Sequence, residues 1–402
     1  MKVIVMSQTK TYISVKRFGQ SLLSLSFNLG GILAGTLLVL YLDVFSTKPW
    51  ALLLFPGILS VRGATGGLLS GHLSTALHIG TIRPSFTQNT RELTHLSYAV
   101  ITLTVGGSLL MGLTASSLSL FLLGTSAIDF LTILAVSITT ICLSLVFTAP
   151  LTFGISVVAF KKGLDPDVFV YPVISSITDI FVTLCYILVL NVFALPSIRV
   201  AIGLFDFVML LVMGYFLLRY RMDEKFTKTV IEILITFVAV ICIVNVTGLV
   251  FNKIGQFFSD KPEIFLVYPA LIDTIGSVGS IVGSTATTKL ALGMIDPSFS
   301  SIRQHFPEIG SAWGASLILF GSYATIASAI QGFIDPNTFW QFLVQLLMTN
   351  ILAVTLVVII SFTVAIFAQK RGWNPDNFVI PIESSLADSI TTISLFLTLM
   401  LI

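Results

Sequence analysis

The chain has 402 residues, 55% of them hydrophobic and 10% charged, with a formal net charge of +2. So apolar a composition excludes an ordinary soluble domain; the net charge says little alone, and no nucleic-acid partner is expected. Cys142, Cys185 and Cys242 lie in apolar runs without disulfide or metal spacing and read as packing residues.

A membrane-spanning helix needs about 20 apolar residues. Such spans are predicted at 20–43, 50–80, 97–123, 128–160, 168–195, 199–218, 229–252, 264–293, 309–334, 338–368 and 377–401. The first lacks a small-residue cleavage site and is expected to be a retained helix rather than a signal peptide. Pro150 and Pro172 are expected kink positions. With the N-terminus cytoplasmic, 15 of the 21 Lys and Arg fall on the inner side. Lys48, Arg199, Lys253 and Lys261 fall outside, and Arg62 and Lys289 within spans. The positive-inside rule therefore predicts eleven spans in the cell membrane, with the C-terminus outside.

Two internal offsets organise the chain. Pro172, Ser175, Ser176 and Asp179 return as Pro381, Ser384, Ser385 and Asp388, a shift of 209. Asp167 and Phe169 return as Asp376 and Phe378 in the same register. Pro56, Gly63, Thr75, Gly80, Pro84 and Phe86 return as Pro269, Gly276, Thr288, Gly293, Pro297 and Phe299, a shift of 213. The expected fold is an all-α membrane protein of two five-helix repeats, 1–197 and 227–402, joined by a linking helix within 198–226. An odd linking span makes the repeats parallel, related by an axis along the membrane normal, so a monomer suffices as a fused pseudo-dimer.

The fifth span of each repeat carries the chemistry. Pro172, Ser175, Ser176, Asp179 and Thr183 occupy one helical face, matched by Pro381, Ser384, Ser385, Asp388 and Thr392. Twelve residues from Asp167 to Asp179 rise about 18 Å, so the aspartate lies near mid-membrane. An acid there costs about 2.5–3.5 kcal/mol on insertion scales, which makes Asp179 and Asp388 the candidate ion ligands. The competing reading is a polar stripe that glues helices together. The second span of each repeat is rich in small residues: Gly63, Gly66 and Gly67, then Gly276, Gly279 and Gly283. These are expected to allow close helix packing, with exposure of backbone carbonyls to a pore as the other role they could serve.

The segment from Pro56 through Arg62-Gly63 to His72-Leu-Ser-Thr-Ala76 resembles the second-helix motif of the MgtE magnesium channels and their eukaryotic solute-carrier relatives. Asp165-Pro-Asp167 with Pro172 and Asp179 is similar to that family's final-helix motif, and Asn374-Pro-Asp-Asn377 with Pro381 and Asp388 repeats it. The resemblance spans about 50–402. It implies a Mg2+ pore between second and fifth helices, with Asp179 and Asp388 as its carboxylates. The asparagine common after the family's second-helix glycine is Ala64 here, and Ser277 in the second copy.

The repeats are unequal. Asp273 replaces Ser60, and Glu383 replaces Ile174. Asp273 is a possible pathway ligand; Glu383 is either an inner recruitment site or a carboxylate that snorkels to the interface. Asp206 and Glu232 lack repeat partners, Arg62 is expected to pair with an acid, and Lys289 with Asp296. His72 and His78 read as packing or interfacial. Paired carboxylates with serines Ser175, Ser176, Ser384 and Ser385 fit a hydrated divalent cation, Mg2+ first, as transported ion without an organic cofactor. A cation-coupled exchanger of Mg2+ with Na+ or H+ is the alternative. An intramembrane aspartyl enzyme is a remote one, and no enzyme is expected.

Overall fold

The computed structural model describes residues 17–86, 88–162, 166–291, 293–332, 335–371 and 375–401. Lys2, Lys10, Lys16, Asp165 and Asn374 lie outside the described residues, as do the side chains of Asp167, Phe169, Pro172, Glu232, Asp376, Phe378 and Pro381. Among the described residues there is no strand, and eleven helices are long and apolar enough to cross a membrane. They are α1 (Arg17–Leu40), α2 (Pro49–Ile79), α3 (Arg91–Leu118) and α4 (Ala127–Lys161). Then come α5 (Pro166–Val192), α6 (Pro196–Arg219), α7 (Glu224–Phe257) and α8 (Pro262–Ala291). The last are α9 (Phe306–Gln331), α10 (Pro336–Arg371) and α11 (Pro375–Leu401).

Local sequence explains the ends. Prolines open α2 and α6 at the first turn, where a missing N–H costs nothing. A Ser126–Asp129 capping box opens α4. Gly80 and Gly332 close α2 and α9 with left-handed φ of 82° and 69°. Helix α3 starts at Arg91, earlier than the apolar run at 97, because polar residues extend the helix beyond its apolar stretch.

The two halves exchange their first helices. Helix α1 packs on α8, and α7 packs on α2. A Cβ on Gly35 would meet Leu266 O at 1.8 Å, and one on Gly248 would meet Leu53 O at 2.1 Å. These contacts are the same joint twice, because both residues of each pair differ by 213. Only glycine permits backbones to approach so closely.

One end of the bundle repeats the exchange in polar contacts. Arg17 on α1 pairs with Glu308 on α9 at 2.9 Å, while Asp223, the N-cap of α7, pairs with His95 on α3 at 3.1 Å. Lys289 does not reach Asp296; it pairs with Glu308 at 3.0 Å and lies 3.2 Å from His305 Nδ1. The following turn carries His305 and Glu308 back over the end of α8.

Helix α6 packs on α3 and α4 and leaves Val200, Leu204, Phe207 and Leu211 exposed, as lipid contact requires. Its Asp206 is buried and accepts from Thr139 Oγ1 at 2.7 Å. At the centre, α2 packs on α5 and α11, and α8 packs on α5 and α11.

Candidate functional site

Four central helices turn three carboxylates and one guanidinium toward the interior, with Arg62, Asp179 and Asp388 buried and Asp273 half-buried. From α5, the serine–aspartate face turns inward: Ser175, Ser176, Asp179 and Thr183 are all buried, while Phe181, Leu184 and Leu188 are exposed. From α11, Ser385, Asp388 and Thr392 are buried and Ser384 is half-buried. The predicted stripe is therefore an interior face in both halves.

The two aspartates have different surroundings. Asp179, 1% exposed, pairs with Arg62 from α2, whose other terminal nitrogen donates to Thr178 Oγ1. Asp388 accepts from Ser60 Oγ, also on α2. Asp273 on α8 accepts from Ser175 Oγ on α5 at 3.2 Å. Ser60 and Asp273 occupy the same position of the two repeats. Each half's second helix thus touches the other half's fifth helix, through Ser60–Asp388 in one direction and Asp273–Ser175 in the other. Asp388 lies within electrostatic reach of both Asp273 and Arg62. Three carboxylates against one guanidinium leave two negative charges when all are ionised. The second half has Ile275 where the first has Arg62, so nothing equivalent neutralises Asp388 from α8.

The small residues divide into two groups. Gly279 and Gly283 pack as expected: a Cβ there would come within 2.6 Å and 2.9 Å of the Glu383 carboxylate oxygens. Glu383 is accordingly buried, 3% exposed, and accepts from Ser361 Oγ. It does not snorkel, because the glycines on α8 make room for it inside the bundle. Gly63 and Gly276, equivalent at the 213 offset, do not act as packing residues; a side chain at either would meet open space. Both are half-buried, as are Gly66 on α2 and Asp273 on α8. Gly66 has only Arg62 Nη1 at 3.9 Å, and Gly67 is buried.

Among the described residues no three His, Cys, Asp or Glu side chains converge as a metal cluster. Sequence reasoning missed Asn28, a single amide in the apolar first span, which donates to Ser277 Oγ on α8 at 3.1 Å. It also passed over Ser60, which looked like a neutral substitute for Asp273 and is the hydroxyl partner of Asp388.

The chain aligns over 151 residues with solute carrier family 41 member 3 of Rattus norvegicus, 28% identical, covering 36% of this chain and 32% of the relative. It aligns over 182 residues with solute carrier family 41 member 2 of Gallus gallus, 25% identical, covering 43% and 31%. The chain spans about a third of the length of these relatives. No solved structure matches it. The family MgtE, described as divalent cation transporter, matches twice, at residues 55–189 and 268–398, and so covers each set of central helices. With both matches carrying an inward aspartate on their last helix, the chain belongs to the MgtE family of divalent cation transporters.

Proposed function

We propose that the chain moves Mg2+ across the cell membrane along the seam between its two halves, past Asp179, Asp273 and Asp388. Family membership makes it a divalent cation transporter rather than an enzyme. The observation that carries the finer reading is the charge imbalance of the central cluster. Arg62 pairs with Asp179, while among the described residues Asp273 and Asp388 accept their hydrogen bonds from the hydroxyls of Ser175 and Ser60. Two like charges in a low-dielectric interior repel, and a doubly charged ion cancels both. Mg2+ keeps several waters and needs only one or two carboxylates, which Asp273 and Asp388 supply. Ser175 and Ser60 orient these acids, and the half-buried Gly63 and Gly276 border the adjoining space. Asp179 and Asp388 then differ in role: Arg62 holds the first, and the second is left to the ion.

In this reading, residues 1–197 and 227–402 are parallel repeats, the linking segment 198–226 restores their common orientation, and a monomer contains one pathway. The N-terminus faces the cytoplasm and the C-terminus the outside. The test is Mg2+ flux into proteoliposomes carrying a Mg2+ indicator, with and without Na+ and pH gradients. Flux that follows the Mg2+ gradient alone identifies a channel, and flux driven by a Na+ or H+ gradient identifies an exchanger. Absence of Mg2+ flux under every gradient overturns the proposal.

A further inference from the structure

Midway along α1, Phe27–Gly30 tighten into a 3-10 turn. Helix α7, the equivalent element of the other half, runs unbroken from Glu224 to Phe257. A mid-helix 3-10 stretch often marks a functional position. Irregular backbone at membrane depth is tolerated where it is buried in protein or lines a cavity.

Asn28 sits in this turn and is fully buried. Its Nδ2 donates to Ser277 Oγ at 3.1 Å and points to the Asp273 carbonyl at 3.5 Å. A backbone carbonyl only accepts, so this orientation places the amide nitrogen toward α8. The amide oxygen, Oδ1, is enclosed and has no hydrogen-bond partner among the described residues. Asp273 repeats the pattern: Oδ1 accepts from Ser175, while Oδ2 is enclosed without one. Two enclosed acceptors at one joint call for a hydrogen-bond donor or a cation, because buried polar atoms are rarely left unsatisfied.

The other half shows that packing does not require these groups. At the 213 offset, Asn28, Asp273 and Ser277 correspond to Ile241, Ser60 and Ala64. The same glycine-mediated helix crossing forms there with an isoleucine and an alanine. The polar joint is an addition to the second half's α8 and the first half's α1.

We propose that Asn28 Oδ1 and Asp273 Oδ2 are ligands of the divalent cation, which therefore sits off the axis between the halves, against the α1 turn. The inference rests on the Mg2+ reading above. A neutral carboxamide beside the Asp273 and Asp388 carboxylates, with nearby serine hydroxyls and waters, forms the all-oxygen environment that a hard cation takes. The ion joins α1 of one half to α8 of the other, so its arrival tightens the exchanged-helix joint.

The test is equilibrium dialysis of purified protein against Mg2+, comparing wild type, Asn28→Ala, Asn28→Asp and Asp388→Asn. Asn28→Ala is expected to weaken Mg2+ binding by about 10-fold or more, since groups that only support a metal ligand already contribute about 10–100-fold and a direct ligand contributes no less. Asn28→Asp keeps the oxygen, adds charge and loses the amide donor, and is expected to tighten binding. An amide that serves only as a structural donor gives the opposite sign for the aspartate variant. Binding that is unchanged by Asn28→Ala, or weakened by Asn28→Asp in a protein that melts like wild type, overturns the proposal. If Asn28→Asp does not fold, Asn28→Ala alone decides by the same criterion. Loss of binding in Asp388→Asn with indifference to Asn28 leaves the Mg2+ reading standing and removes only this inference. No Mg2+ binding by wild type removes both.

Discussion

Replacing Arg62 with methionine separates a buried ion pair from an ornamental one. The side chains of Arg62 and Asp179 are 7% and 1% exposed, so the pair is far from the surface regime in which ion pairs contribute about 0–1 kcal/mol. At 4 Å and an effective dielectric of 20, two unit charges attract by about 4 kcal/mol. Removing one partner of a buried pair typically costs about 3–5 kcal/mol, and Arg62→Met belongs at the upper end because three carboxylates then share no cation. Asp179→Asn is milder. The guanidinium still has Asp273 and Asp388 in electrostatic reach, and the loss is about 1.5–3 kcal/mol, the scale of one charge-assisted hydrogen bond. The double variant Arg62→Met/Asp179→Asn is expected to recover part of the Arg62→Met loss, since one uncompensated acid is gone. Mg2+ supplies an independent check. A ligand at 100 times its Kd stabilises by about 2.7 kcal/mol, and Arg62→Met is expected to gain the most from it because its cluster carries the greatest negative charge. Thermal unfolding in detergent, followed by tryptophan fluorescence with and without Mg2+, measures all four proteins. Equal losses in the two single variants, or Arg62→Met that gains no more from Mg2+ than wild type, would refute this account.

Other predictions concern the frame. Gly35→Ala and Gly248→Ala place a methyl 1.8 Å and 2.1 Å from backbone carbonyls that cannot swing away; each should cost about 1–3 kcal/mol, and markedly unequal melting shifts would contradict a repeated joint. Gly283→Ala puts its methyl 2.9 Å from Glu383 Oε2. It should destabilise wild type but not a Glu383→Ala background, and equal effects in both would show that Glu383 is not what the glycine accommodates. Cysteines substituted at Lys162, Lys225 and Arg371 should be shielded from impermeant reagents outside the cell while one at Lys261 reacts; labelling at Arg371 but not Lys261 reverses the topology.

The sequence carried the architecture because duplication is written in it. Offsets of 209 and 213 find the repeats, and the same 213 relates Gly35–Leu266 to Leu53–Gly248, a contact that no periodicity predicts. The inward face of α5 and α11 was legible because serines and an aspartate at helical spacing stand out among apolar residues. Their partners were not. Ser60 and Asp388 lie 328 residues apart, and Asn28 and Ser277 lie 249 apart. Helical geometry put Glu383 off the polar stripe and invited a snorkelling reading, yet glycines on another helix supply its pocket. Lys289 illustrates the same limit, since Asp296 is nearer in sequence and Glu308 nearer in space.

The most direct test of the central claim is Mg2+ flux in proteoliposomes reconstituted with wild type, Asp206→Asn and the double variant Asp273→Asn/Asp388→Asn. All three aspartates lie on membrane helices, but Asp206 belongs to the linking helix and is bound by Thr139 rather than facing the seam. Asp206→Asn is expected to keep most of the wild-type flux, and the double variant to lose most of it while remaining folded. Wild-type flux through the double variant would contradict an ion path governed by these two carboxylates.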